Sequence, residues 1–457
     1  MFEPRSRLWA SASLTRSLPL AMCNFSITGG AKLCGVVEVS GSKNAALPVM
    51  AASILASEPV RLEGIPDVAD VQTLAMVLRD LGLAVENDGK GVVRLETVDG
   101  SRSFAGYELV RRMRASFCVL GPLLARRGRA VVALPGGCNI GPRPVDLHLS
   151  GLAALGAELR IESGHVIARA RRLKGAQISL AGPCGPTVTG TANVLSAAVL
   201  ADGATTINGA ALEPEIVDLG NFLNRLGARI SGLGTPIIRV EGVSQLGGGR
   251  YRVIPDRIEA ATLLLAAAIA AGELTVTRAI PAHLHAVLAK LEEAGFEVRS
   301  GEDWLAIRAA SRPRAVDIVA EPYPGIPTDV QAQFMALLAL AKGTSTVGDR
   351  VFRNRFQHVA ELNRLGARIQ LGPEGVVVCG VERLSGATVQ ATDLRASAAL
   401  ILAGLAAEGK TVVEQAHHLD RGYQRLDEKL NRLGARIVRV APGRSGDESP
   451  DSRPNAA

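Results

Sequence analysis

Six times in 457 residues an amphipathic stretch ends in glycine and runs straight into a β-capable segment. The glycines are Gly82, Gly156, Gly227, Gly295, Gly366 and Gly434, spaced 68 to 74 residues apart. Ahead of Gly434, Tyr423, Leu426, Leu430 and Leu433 recur at three or four, which is one face of a helix; Ile216, Leu219, Phe222 and Leu226 do the same ahead of Gly227. Glycine supplies the left-handed conformation that ends such a helix. A second kind of helix precedes each phrase. Residues 45–56, 117–125, 192–201, 260–271, 331–341 and 396–407 are apolar nearly all round, as in helices buried on every side. The chain therefore predicts six copies of one unit of about 70 residues. Each copy reads as strand, buried helix, strand, amphipathic helix, strand, with a further strand before the next: an α/β (α+β) fold of βαβαββ-type units.

One such unit is too small to bury two helices alone, so the six divide into two sets of three sharing a core. The Gly247-Gly248-Gly249-Arg250 run is the expected joint, although a glycine run also suits a hairpin. Residues 1–21 carry Arg5, Arg7 and Arg16 with several serines and one acid. They read as an N-terminal extension, either a transit peptide or, the favoured reading, a start assigned too early, since Met22 stands just before the first strand. Residues 442–457 read as a disordered tail. No apolar run is long enough for a membrane span. Six scattered cysteines without a CxxC pair fit free thiols in a reducing compartment, the cytoplasm, and seven histidines show no metal-ligand spacing. The formal charge is +7, yet Lys and Arg do not form runs and aromatics are 3% of residues. That argues against nucleic acid as partner and suits a small anionic substrate.

Function should sit where the copies differ. Leu134 to His148 packs glycines and prolines around Cys138 and Arg143, a shaped loop with a thiol near a guanidinium. Such a cysteine can be reactive, or simply a buried structural thiol. At Val39-Ser40-Gly41-Ser42-Lys43-Asn44 a strand enters a turn and a helix opens near Lys43, a combination that attracts anions. Met113-Arg114-Ala115-Ser116, Pro327-Thr328-Asp329 and Thr392-Asp393-Leu394-Arg395 also place charge at the start of a buried helix, and Asp420-Arg421-Gly422-Tyr423 opens the last amphipathic one. Each could be a local cap or ion pair. Gathered at facing domain ends, they would line a cleft for a multiply anionic substrate.

These phrases, with Pro135-Gly136-Gly137-Cys138-Asn139-Ile140-Gly141, Glu213-Pro214-Glu215 and Pro255-Asp256-Arg257-Ile258-Glu259, resemble the UDP-N-acetylglucosamine 1-carboxyvinyltransferase family of enolpyruvyl transferases from about Phe25 to Val440. The resemblance implies a two-domain inside-out α/β barrel. The first domain would hold residues 22–43 plus 253–441 and the second residues 44–252. It implies transfer of the enolpyruvyl group of phosphoenolpyruvate to the 3-hydroxyl of UDP-N-acetylglucosamine, with release of phosphate and no metal or cofactor. That is the first committed step of peptidoglycan precursor synthesis, and cysteine-directed inhibition by fosfomycin goes with it. Cys138 then matches the acid that also forms a covalent adduct, and Asp329 the base. Lys43, Asn44, Arg143 and Arg421 match phosphoenolpyruvate ligands. Arg114, Arg143, Pro144, Val145, Asp146, Leu147, Asp329 and Val351 match contacts of the nucleotide sugar, and Asp393 and Arg395 line the cleft. The segment from Gly182 to Pro186 departs from the family's diphosphate contact. The other classes weighed are a paralogue with a different acceptor, a non-catalytic nucleotide-sugar sensor and an RNA 3′-phosphate cyclase.

Overall fold

The computed structural model describes residues 23–135, 144–183 and 185–441. Cys138, Arg143, the extension 1–21 and the tail 442–457 lie outside the described residues. The architecture is mixed α/β. Among the described residues six sheets have four strands each, and all six follow one pattern: a parallel pair, then two antiparallel neighbours. The six phrase glycines have φ between +84° and +111°, the left-handed region a side chain disfavours. Each ends an amphipathic helix and admits the outermost antiparallel strand of its sheet, as Gly82 does between Ala69–Asp80 and Leu83–Asn87.

The apolar helices are buried as their composition requires. Arg257–Ile269, Gln331–Leu338 and Leu394–Ala406 pack on one another in one core, and Lys43–Ala52, Leu120–Arg127 and Val188–Ala198 share the other. Buried apolar residues form two clusters accordingly. One runs from Ala46 to Val253; the other joins Phe25–Val39 to Ile258–Ile437. The N-terminal strands explain that second grouping. Asn24–Thr28 pairs with Lys410–Glu414 and Ile437–Val440, and Cys34–Glu38 pairs with Glu273–Thr277.

The chain thus crosses between clusters twice, at Val39–Ala46 and Val253–Ile258. The crossings are tied to each other by Ser42 N–H to the Ile254 carbonyl at 2.8 Å and Asp256 N–H to the Ser40 carbonyl at 2.9 Å. The glycine run stands just before the second crossing. Gly249–Arg252 is a strand paired with Val60–Glu63, and a Cβ on Gly248 would lie 2.4 Å from the Pro59 carbonyl oxygen. The glycines there serve close backbone approach, and the crossing follows them at Val253.

Candidate active site

All six buried helices begin at the cleft between the two clusters. Four are capped by side chains that sequence chemistry favours at this position. Ser42 Oγ accepts from Ala45 N–H at 3.2 Å, and Thr187 Oγ1 from Gly190 N–H at 3.2 Å. Asp256 accepts from Ile258 and Glu259 at 2.8 and 3.0 Å, and Asp393 from Arg395 and Ala396 at 2.8 and 3.2 Å. The other two helices enter through 3-10 turns, Arg114–Val119 and Thr328–Val330. Their starts line two adjoining cavities of about 260 and 200 Å³, which share Asn44, Leu47, Ala115, Thr189 and Asp329. Helix N-termini carry partial positive charge, so the cleft favours anions before any side chain is counted.

The smaller cavity is the charged one. Five cations (Lys43, Arg114, Arg355, Arg395 and Arg421) face three carboxylates (Asp70, Asp329 and Asp393). Asp329 Oδ1 pairs with Arg355 Nη1 and Oδ2 with Arg395 Nη2, both at 2.9 Å, while Asn44 Nδ2 donates to Oδ2 at 3.5 Å. Burial alone would push the Asp329 carboxyl up. The two arginines outweigh it and hold the group well below the usual carboxylate range. Arg395 is raised in turn, because Asp329 overcomes its desolvation; it also lies 5.1 Å from the Tyr423 ring centre. Asp70 bridges two cations: Lys43 Nζ at 3.3 Å and Arg421 Nε at 3.0 Å. Burial lowers the Lys43 ammonium, and Asp70 opposes that shift.

The larger cavity has apolar walls, among them Leu47, Pro48, Ile216, Ile258 and Phe352, with Val351 at its edge. Asp349 accepts from Val351 N–H at 2.9 Å and fixes that turn. Glu213, Glu215 and Glu321 line it with Arg257, and Glu321 is paired with Arg350. Arg257 holds Glu215 through Nε at 2.9 Å and Nη2 at 3.2 Å.

Of the residues singled out in the sequence, Lys43, Asn44, Arg114, Asp329, Asp393, Arg395 and Arg421 meet at the charged cavity, and Val351 lines its neighbour. Pro144, Val145, Asp146 and Leu147 line neither cavity. The Pro144 carbonyl accepts from Arg114 Nη2 at 3.3 Å, and Asp146 opens the helix Asp146–Ala154. Asp70 and Arg355 also line the charged cavity, although none of the phrases singled out above contains either. A signal for Asp70 was present. It is an acid on the same stripe as Leu74, Val77 and Leu78, and it is 4% exposed. Among the described residues, no group of three or more His, Cys, Asp or Glu side chains could hold a metal ion, and no helix is long and apolar enough to cross a membrane.

The family model described as EPSP synthase (3-phosphoshikimate 1-carboxyvinyltransferase) matches residues 27–430. The crystal structure of the enolpyruvyl transferase NikO from Streptomyces tendae is similar with a TM-score of 0.83 at 28% identity, over 92% of this chain and 99% of that one. EPSP synthase from Acinetobacter baumannii is similar with a TM-score of 0.71 at 20% identity, over 92% of this chain and all of that one, a likeness of fold.

Proposed function

The chain belongs to the EPSP synthase family of enolpyruvyl transferases, and from that premise we propose that it moves the enolpyruvyl group of phosphoenolpyruvate onto the 3-hydroxyl of UDP-N-acetylglucosamine. The observation that carries this acceptor is the loop phrase from Pro135 to His148, with Cys138 and Arg143, which the shikimate-pathway branch of the resemblance lacks. The pairing of a cationic cavity with an apolar one supports it. A small anionic donor suits the first, and an acceptor with a neutral, bulky part suits both. On this reading the enzyme serves peptidoglycan precursor synthesis in the cytoplasm. We likewise read the six sheets as six copies of one unit in an inside-out barrel, three copies each in domains 22–43 plus 253–441 and 44–252.

The chemistry is an addition followed by an elimination. Cys138 Sγ–H gives its proton to the methylene carbon of phosphoenolpyruvate. The acceptor oxygen bonds to the adjacent carbon while its proton passes to Asp329. The Cys138 thiolate then takes a methyl proton back as the C–O bond to phosphate breaks and the double bond returns, and Asp329 passes its proton to the departing phosphate. Lys43, Arg143 and Arg421 hold the donor's phosphate and carboxylate, so orientation and charge stabilisation are in place beforehand. Asp329, kept ionised by Arg395 and Arg355, is ready to accept a proton but is a weak base. Proton transfer to it therefore accompanies C–O bond formation, when the hydroxyl is most acidic. Asn44, Asp393 and Arg114 position these groups, with Pro144 to Leu147 and Val351 toward the nucleotide.

Phosphate release from phosphoenolpyruvate, measured with UDP-N-acetylglucosamine and separately with shikimate 3-phosphate, tests the reading. Release only with the second acceptor would sink it in favour of the EPSP synthase reaction, which the family model's description favours. Cys138→Ala should lose turnover, and Cys138→Asp should keep part of it. Fosfomycin, an epoxide phosphonate, should add once and at Cys138. Cys118 should stay unmodified, because burial pushes its thiol up to about 12. An adduct elsewhere counts against the assignment.

A further inference from the structure

The larger cavity holds one carboxyl that its surroundings do not satisfy. Glu213 stands just before the helix Pro214–Arg225, lines the cavity and is 9% exposed. Tyr323 N–H, reaching across from the other core, donates to Oε1 at 3.4 Å. Oε2 is buried and has no hydrogen-bond partner among the described residues. The nearby cation does not serve it, since Arg257 is engaged by Glu215 and lies 5.5 Å from the Tyr323 ring centre. Buried polar atoms are nearly always partnered, so an orphan beside a cavity marks the place of a missing ligand atom. The space, about 260 Å³, exceeds that of a single water several-fold.

We propose that Glu213 is a specificity-determining residue whose free oxygen hydrogen-bonds a hydroxyl of the sugar-nucleotide acceptor. This rests on the acceptor class proposed above. The charges around it select that partner. Arg257 is held by Glu215, and Glu321 by Arg350, so this wall offers a phosphate little, whereas the smaller cavity gathers five cations. A neutral hydroxyl can both donate and accept. Burial raises the Glu213 carboxyl, so whichever protonation state it holds, a hydroxyl can match it. The acceptor would therefore lie with its reacting hydroxyl toward Asp329, which both cavities share, and a further hydroxyl toward Glu213.

The test uses the full-length enzyme, Glu213→Ala and Glu213→Gln, with UDP-N-acetylglucosamine and analogues lacking single hydroxyls of the ribose or of the sugar. Glu213→Ala should raise KM for the acceptor about tenfold while KM for phosphoenolpyruvate stays within about twofold. One deoxy analogue should be penalised in the wild type and not penalised further in Glu213→Ala; its identity tells ribose from sugar. Glu213→Gln should recover most of the lost affinity. An unchanged acceptor KM, or an equal penalty for every analogue in both enzymes, overturns the proposal. Should Glu213→Ala fail to fold, the analogue comparison is made with Glu213→Met, which keeps the side chain's length and removes its hydrogen-bonding oxygens. Absence of phosphate release by the wild type refutes the acceptor itself; normal wild-type turnover with indifferent variants refutes only the role of Glu213.

Discussion

Lys43 is a cation that its own burial works against. Desolvation lowers its pKa; Asp70 and Asp329 oppose this, Arg395 and Arg421 add to it, and Asp256 accepts only from its backbone N–H, at 3.2 Å. If the ammonium binds the donor, only the protonated form is productive. The kcat/KM for phosphoenolpyruvate should then fall on the alkaline side, at a pH below that of a solvent-exposed lysine. Lys43→Arg should abolish that limb and lower kcat/KM at neutral pH by about tenfold or more, because a planar fork does not replace a compact ammonium. A limb that persists in the variant belongs to another group. Lys43, Asp329 and Arg395 were legible in the sequence because each is a charge at the mouth of an apolar helix. Asp70 showed only as an acid on an apolar stripe, because its meaning depends on Arg421, 351 residues away. Glu213 stood in a quoted phrase, but its orphaned oxygen exists only once Arg257 and Tyr323 are placed around it.

At the scale of elements, the legible parts were those with a local physical cause. The left-handed glycines and the helices apolar on every side follow from chain stereochemistry and hydropathy. The glycine run at 247–249 stands beside the second crossing, yet its glycines serve close backbone approach rather than a linker. Close approach also governs a helix pair inside the second core. A Cβ on Gly121 would lie 2.1 Å from the Asn193 carbonyl oxygen. Gly121 N–H donates to Asn193 Oδ1 at 2.8 Å, and Asn193 Nδ2 donates to the Phe117 carbonyl at 3.0 Å and meets His148 Nδ1 at 2.9 Å. Gly121→Ala must part these helices and should destabilise by about 1–3 kcal/mol, read as a lower urea midpoint at unchanged slope. His148 adds a pH dependence. Burial pushes it down to about 3 from an ordinary 6.5. Below 6.5 the unfolded chain takes up a proton that the folded one refuses, so this part of the stability is lost as pH falls from 6.5 toward 3. His148→Gln should flatten the slope of stability against pH in that window. An unaltered slope would assign the acid sensitivity to other groups, such as His358, which burial also lowers, to about 4.

At the scale of the molecule, the repeat announced how many helices would be buried but not how the two clusters would face each other. That depends on pairings between chain ends, such as Asn24–Thr28 with Ile437–Val440, and on contacts across the cleft. Among the described residues the polar ones include Asn44 to Asp329, Asp67 N–H to Gln424 at 3.1 Å, Tyr323 N–H to Glu213, Arg257 to Glu215, and Asp70 to Arg421. The last is distinctive. Asp70 comes from the second cluster's side, Arg421 from the first, and Lys43 from the crossing between them. One carboxylate therefore engages two of the cations proposed for the donor, in the way an anionic ligand would. Its loss leaves the five cations of the charged cavity with two carboxylates, Asp329 and Asp393. Repulsion in a partly desolvated cleft then favours separation of the two halves. Asp70→Asn, which keeps size and removes charge, should give a larger radius of gyration than wild type by small-angle X-ray scattering in the absence of ligands. The difference should grow at low ionic strength, where screening is weak. Adding phosphoenolpyruvate together with UDP-N-acetylglucosamine should bring the two proteins to the same radius, because the ligand charge replaces the missing carboxylate. Equal radii before any ligand is added would show that the remaining contacts hold the cleft without Asp70.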